Sequence, residues 1–163
     1  MTKLLGALVP LLAVLAGCGQ PENKRLFWTP NLREATLSLG DGYTFTTRYT
    51  YVPSTLKLSA HWSRNGPDGF RMKDAEIRIL PEQALSLEDR LSNVRPQENP
   101  PPGDCWNDVA TLSLQLVENS GESRLYYTDP VKESCEPARA FLNKDDVLGV
   151  LDTFDELLPT PEL

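Results

Sequence analysis

Polar and apolar residues alternate through the middle of the chain, a pattern typical of half-buried β-strands. It predicts four strands separated by short turns, at residues 35–39, 43–52, 55–63 and 70–80. In the second and third of them, the residues that share the apolar face are Tyr43, Phe45, Tyr49 and Tyr51, then Leu56, Leu58, Ala60 and Trp62. Neighbouring strands with short connections predict an antiparallel meander with one buried and one wet face.

Two further strands are predicted beyond a proline-rich segment. Residues 96–103 contain closely spaced prolines and predict an irregular connection. Residues 110–117 alternate three leucines with polar residues, Asn119-Ser120-Gly121 forms a turn, and residues 123–128 return with Leu125 and Tyr127. This pattern predicts a β-hairpin.

Helical spacing occurs in two places. In residues 82–94, Leu87, Leu91 and Val94 share a face, and Ser86 with Asp89 predicts a capping box. The second helix follows Asn143, a suitable cap residue, and ends at Pro159. Its apolar stripe is predicted to pack on the sheet and its acidic residues to face water: Val147, Leu151, Phe154 and Leu158 against Asp145, Asp152, Asp155 and Glu156.

These elements predict an α+β fold that is mainly β. We expect an antiparallel sheet or sandwich with a short middle helix and a C-terminal amphipathic helix. The chain has 163 residues, 40% of them hydrophobic, which fits one globular domain. We assign that domain to residues 31–163.

The first residues are predicted to stay outside the fold. Lys3 gives a positive start, residues 4–17 are uncharged, and Ala16 and Gly17 end the stretch. A short apolar segment of this kind is typical of an export signal, since a membrane span takes roughly 20 apolar residues.

The end of this segment, Leu15-Ala16-Gly17-Cys18, resembles the lipobox of bacterial lipoproteins. The resemblance implies that residues 1–17 are a signal peptide and that Cys18 becomes the lipidated first residue of the mature protein. Residues 18–30 would then hold the lipid attachment and a polar tether. Several acyl chains anchor a protein stably to a membrane. The implied location is the extracytoplasmic face of a membrane. Gly19 after the cysteine favours the outer membrane, facing the periplasm, in a Gram-negative host.

An exported chain enters an oxidising compartment, where cysteines pair. If Cys18 is acylated, Cys105 and Cys135 remain, on either side of the predicted hairpin. We therefore predict a Cys105–Cys135 disulfide at its open end. The spacing of these cysteines does not favour a metal or redox site, because the chain has no Cys-x-x-Cys.

Charge excludes one class of partner. The net charge is −7, so bulk attraction to nucleic acid is not expected. Residues 104–163 hold 4 basic and 13 acidic residues. This region is either a solubilising surface or a docking face for a basic partner or a cation.

The sequence contains few candidate catalytic residues. His61, the only histidine, alternates with Leu58, Ala60 and Trp62 and is predicted to be a surface residue and not a catalytic base. No nucleophile turn, phosphate loop or zinc-ligand spacing is present. We therefore expect no enzyme, no cofactor and no metal site.

Two function classes stay open. The first is a noncatalytic protein-interaction or assembly module of the cell envelope, bound to the membrane through lipid on Cys18 and to another envelope protein. The second is a ligand-binding or hydrolase-inhibitor lipoprotein. Residues 120–126 resemble the Ser-Gly and tyrosine loop of periplasmic lysozyme-inhibitor lipoproteins. We expect a closed sheet with a protruding loop for an inhibitor, an apolar cavity for a ligand binder, and an open sheet covered by a helix for an interaction module.

Overall fold

A computed structural model describes residues 31–41, 43–97, 110–129 and 141–162. The predicted signal peptide, the lipobox with Cys18, the tether, and the predicted Cys105–Cys135 disulfide lie outside these residues. The elements, in chain order, are β1 (Leu32–Gly40), β2 (Phe45–Val52), β3 (Lys57–Gly66), β4 (Gly69–Arg78), α1 (Pro81–Ser92), β5 (Pro96–Gln97), β6 (Thr111–Glu118), β7 (Ser123–Tyr127), β8 (Phe141–Leu142) and α2 (Lys144–Leu157).

The strands form one sheet in the order β4-β3-β2-β1-β6-β7-β8-β5. The first four strands make the predicted antiparallel meander, and the predicted hairpin β6–β7 extends it from the other side of β1. The sheet is mixed, because β7 and β8 run parallel at Tyr127 and Phe141. The fold is therefore α+β and mainly β, as expected, with a single sheet and not a sandwich.

Both helices pack on the same face of the sheet. The inward side chains of β2 show this directly, because Tyr49 stacks on Phe154 of α2 with ring centroids 5.3 Å apart, and Tyr51 donates a hydrogen bond to Glu88 of α1. The apolar faces predicted for the strands meet the apolar stripes of the helices there. The largest fully buried side chains of this core are Trp62, Tyr49, Tyr51, Phe154, Leu37, Leu58, Leu87, Leu91, Leu114 and Leu142.

The beginning of α1 differs from the predicted one. The helix starts at Pro81, and the Gln83 side chain accepts a hydrogen bond from the backbone N–H of Leu80. Ser86 and Asp89 lie inside the helix, so the predicted capping box at these residues is wrong. Proline fits the first helical turn, where its missing N–H costs nothing, and this moves the start upstream. The predicted apolar face is confirmed, because Leu87, Leu91 and Val94 are buried.

The cap of α2 is confirmed. The Asn143 side chain accepts a hydrogen bond from the backbone N–H of Asp146. Val147, Phe154 and Leu158 are buried and Leu151 is half-buried, as the helical spacing predicts. Within the described residues, no helix is long and apolar enough to cross a membrane.

Two details of the second half correct the predictions. Pro96 and Gln97 pair with β8, so the segment predicted to be irregular begins as a short strand. In β7, Tyr126 is buried and Leu125 is exposed, whereas the prediction gave Leu125 and Tyr127 to the returning strand. Tyr126 lies opposite the buried Leu114, so the register of the hairpin determines which residue points inward.

Candidate functional site

The sheet face opposite the helices is lined mainly by polar side chains, with the apolar Phe70 and Met72 at its β4 edge. We call it the open face. It carries side chains from five neighbouring strands, and most of them are small and hydroxylated: Thr36, Ser38, Thr46, Thr50, Ser59, Ser63, Thr111, Ser113, Gln115, Asp74 and Glu76. Strand alternation places them there, since each is an immediate neighbour of a core residue on its own strand. Nearly all are half-exposed or exposed.

A charged row crosses this face. The register pairs Ser38 with Arg48, Arg48 with His61, and His61 with Asp74. The predicted orientation of His61 is confirmed, since its ring lies on the open face. Its Nδ1 is 2.7 Å from Asp74 Oδ1. Both side chains remain accessible, with exposed fractions of 37% and 66%.

Arg48 lies beside this pair and is exposed. Its guanidinium makes no hydrogen bond or ion pair with the described part of the chain. On the same face, Lys57 Nζ contacts Glu76 Oε2 at 2.6 Å. Arg48, His61, Asp74 and Glu76 border a shallow depression that is also lined by Thr50, Ser59, Ala60 and Ala75. It presents Arg48, which has no ion-pair partner among the described residues, beside the His61–Asp74 pair.

The His61–Asp74 pair could orient an imidazole, as in hydrolases, but such chemistry also needs a nucleophile in contact and oxyanion donors. Ser59, two residues from His61 on the same strand, donates its hydroxyl to the Thr50 carbonyl at 3.5 Å. Among the residues described, no cluster of three or more His, Cys, Asp or Glu is arranged to hold a metal ion. What the open face offers is a broad array of hydrogen-bond donors and acceptors.

The acidic residues of α2 have structural contacts that the sequence did not predict. Arg95 binds Asp146 in a bidentate pair, with Nε–Oδ2 and Nη2–Oδ1 distances of 2.8 and 2.9 Å. The side-chain hydrogen bond from Arg95 lowers the pKa of Asp146 below its ordinary value, against the opposing effect of partial burial. Asp155 binds Tyr49 and Thr160. Asp146 and Asp155 therefore hold α2 in place. Asp145, Asp152, Asp155 and Glu156 are all exposed, as the predicted wet face requires.

A groove between the two helices contains two of the α2 carboxylates, those of Asp145 and Asp146. Its other lining residues are Ser86, Asp89, Arg90, Asn93 and Gly149. Asp146 is already neutralised by Arg95, and Arg90 lies among the remaining carboxylates. The groove is thus a mixed-charge surface, which gives little support to a docking face for a basic partner here.

The sequence pattern did not predict that Arg48 and Asp74 lie next to His61. A signal for Asp74 exists: the loop between Gly66 and Gly69 contains two residues, Pro67 and Asp68. Counting back from a two-residue turn places His61 opposite Asp74. The predicted strands 55–63 and 70–80 were joined by a short turn of unspecified form, so no register between them was predicted. To place Arg48 beside His61, the register between β2 and β3 is also required. The connection between these two strands is not a two-residue turn, so its length does not give that register.

The chain matches no protein-family model, no curated protein and no solved structure.

Proposed function

We propose that the protein is a membrane-anchored, extracytoplasmic lipoprotein that acts as a noncatalytic protein-interaction or assembly module of the cell envelope. The observation that carries this proposal is the two-layer arrangement: both helices cover one face of an eight-stranded sheet, and the other face is mainly polar. An inhibitor is instead expected to have a closed sheet, and a ligand binder is expected to have an enclosed apolar pocket.

The chemistry of the open face supports docking of a folded partner. Serine and threonine side chains lose little conformational entropy when they are immobilised, and each hydroxyl both donates and accepts hydrogen bonds. Neighbouring hydroxyls already interact across the strands, as Thr36 and Thr50 do at 3.2 Å. Non-obligate interfaces bury polar and apolar area in similar shares, and the exposed Phe70 and Met72 supply apolar area beside these hydroxyls.

The lipobox resemblance supplies the second support. An acylated Cys18 and a tether of residues 18–30 would confine the domain to a thin layer above the membrane. Confinement raises the effective concentration of the domain toward partners in the same membrane, so moderate affinity at the open face would be sufficient.

Site-specific photocrosslinking in cells tests the interaction. A photoreactive residue at Ser59 or Ser38 samples the open face, and the matched control at Asp152 samples the exposed side of α2. We expect the open-face positions to capture the same one or few envelope proteins, and Asp152 to capture none of them. Identical products at all three positions, or none at any, would overturn the proposal.

A separate experiment tests the anchor. Cys18→Ala removes the acylated thiol, so we expect the unprocessed precursor to accumulate and the mature lipidated form to disappear. Metabolic labelling with a palmitate analogue and membrane fractionation measure both effects. The matched control, Cys105→Ala, leaves lipidation unchanged. If Cys18→Ala is processed and stays membrane-bound like the parent chain, the lipoprotein assignment is wrong.

A further inference from the structure

The strand β4 forms one end of the sheet and pairs with β3 over its full length. This pairing runs from Gly66 opposite Gly69 to Lys57 opposite Arg78 without a register shift. The strand has 10 residues and contains no proline, whereas the strand at the opposite end, β5, has 2. Native proteins usually shorten, kink, charge or cover an edge strand, because its free backbone groups invite another strand. The β4 edge is long and regular.

The register shows which backbone groups face away from β3. In an antiparallel pair, hydrogen-bonded and non-hydrogen-bonded residue pairs alternate. The two-residue loop makes Gly66–Gly69 a hydrogen-bonded pair. At the other end of the strand, the Ile79 N–H donates to the Leu56 carbonyl at 2.9 Å, which is the hydrogen-bonded pair expected there if the alternation is unbroken. The residues whose N–H and C=O groups point outward are therefore Phe70, Met72, Asp74, Glu76 and Arg78.

The side chains along the first half of β4 differ on its two faces. On the helix side, Arg71 lies opposite Arg64, and Lys73 follows two residues later. Arg64 and Lys73 form no ion pair within the described segments, and Arg71 meets Asp68 at 3.3 Å. On the open face, Phe70 and Met72 are 65% and 58% exposed. A strand added here would meet cations on one face and apolar side chains on the other.

Pairing of β4 with β4 of a second copy does not satisfy these charges. An antiparallel pairing centred on Lys73 places this lysine opposite its own copy, and one centred on Asp74 does the same for the aspartate. Centring on Ala75 places Asp74 opposite Glu76. Like charges directly opposite each other destabilise a strand pair, so each central register is unfavourable. The complementary partner is a different, acidic segment.

We propose that β4 binds an extended segment of another protein by strand addition, with apolar residues beside Phe70 and Met72 alternating with acidic residues beside Arg71 and Lys73. This inference rests on the proposed interaction function and names the edge and the partner chemistry. Backbone hydrogen bonds to the outward groups supply affinity, and the alternating side chains supply specificity.

The probes are two synthetic peptides of equal length, one alternating valine with glutamate and one alternating valine with lysine. Fluorescence anisotropy with the purified full-length chain measures their affinities. We expect the glutamate peptide to bind and the lysine peptide to bind at least about tenfold more weakly. Equal binding of the two peptides, or binding of neither, overturns the proposal.

Hydrogen exchange distinguishes strand addition from simple charge attraction. On binding of the glutamate peptide, we expect the amides of Phe70, Met72 and Asp74 to become protected, while those of Arg71 and Lys73 are protected already. If the peptide binds without this alternating protection, the proposal is overturned. It is also overturned if the same amides become protected without peptide, either when the free chain self-associates or when it adsorbs to anionic vesicles.

Two variants of Met72 distinguish the backbone contribution to peptide binding from the side-chain contribution. Met72→Pro removes an outward N–H that β3 does not use and should abolish peptide binding, whereas Met72→Ala keeps the N–H and should retain most of it. Arg71→Glu with Lys73→Glu should reverse the preference between the peptides, which also tests the edge if the proline variant is unstable. If crosslinks at Ser59 persist in cells while all β4 variants bind like the parent, the edge proposal fails and the proposed function stands.

Discussion

The hydroxyl of Tyr49 on β2 donates a hydrogen bond to Oδ1 of Asp155 on α2, with a distance of 2.8 Å. The same hydroxyl lies 3.2 Å from the Leu158 carbonyl and 3.3 Å from the Thr160 hydroxyl, which also accepts a hydrogen bond from the Trp62 indole. Two buried aromatic residues of the sheet thus bind the end of α2 and the residues that follow it. This network fixes where the chain leaves α2.

Replacing Tyr49 with phenylalanine removes the hydroxyl and keeps the ring stacked on Phe154. Because the network loses its central donor in a buried place, we expect Tyr49→Phe to lower the free energy of unfolding by about 1–2 kcal/mol. Urea unfolding measures the change. The control Tyr43→Phe alters a side chain that is 72% exposed and should change stability little. Equal losses in the two variants would contradict a stabilising role for this network.

Gly40, the last residue of β1, is a second position with a sharp expectation. Its φ is +156°, and a Cβ there would collide with the Phe45 carbonyl oxygen and approach Thr46 Cα to 2.9 Å. Since backbone atoms cannot move aside cheaply, we expect Gly40→Ala to cost about 2–3 kcal/mol of unfolding free energy.

Gly66 provides the matched control for this substitution. It also ends a strand before a turn, but a Cβ there meets nothing within 4 Å. Thermal unfolding of Gly66→Ala should stay within about 0.5 kcal/mol of the parent chain. If both alanine variants unfold alike, the close approach at Gly40 does not constrain the β1–β2 connection.

The alternation of residues predicted the faces of the first strands well, because a period of two needs only local information. Tyr49, Tyr51, Leu58 and Trp62 are all buried as expected, whereas the prediction is wrong for Tyr43 and Phe45, which are exposed because β2 begins only at Phe45. Residues 125–127 are apolar in a row, so alternation alone does not choose between them. Only the register of the hairpin, with Leu114 opposite Tyr126, makes that choice.

Contacts between distant segments were not predictable in the same way. Arg95 and Asp146 lie 51 positions apart, before and after the β6–β7 hairpin. They meet because α1 and α2 pack side by side. The sequence showed an acidic helix start, which the macrodipole alone explains. The partner of Asp146 depends on where the helices cross, and no local pattern encodes that.

The Arg95–Asp146 pair predicts a pH dependence of stability. Arg95 holds the pKa of Asp146 below its ordinary value, so the folded chain binds this proton less readily than the unfolded chain. The contribution to stability is complete above the unfolded pKa of about 3.9 and is lost as the pH falls through the lower folded pKa. Arg95→Gln should lower stability near neutral pH and flatten its decline in acid.

Urea unfolding at a series of pH values from about 6 to 2.5 covers this range. Arg48→Gln is the control, since it removes an exposed arginine that has no ion pair among the described residues and should leave the shape of the pH profile unchanged. An unaltered acid decline in Arg95→Gln would show that Asp146 does not contribute to the pH dependence.

The Cys105–Cys135 disulfide stays a prediction, and the described hairpin is consistent with it. Ser113 near the start of β6 lies opposite Tyr127 at the end of β7, so the chain enters and leaves the hairpin at one end. Closing a loop of roughly thirty residues should stabilise the domain by about 3–4 kcal/mol. We expect Cys105→Ser and the double variant with Cys135→Ser to lose this stability equally, because either change opens the same loop. Thiol alkylation of the unfolded, unreduced protein, followed by mass spectrometry, should find neither cysteine modified. Two alkylated cysteines there, or a double variant that unfolds at the parent's urea concentration, would exclude the bond.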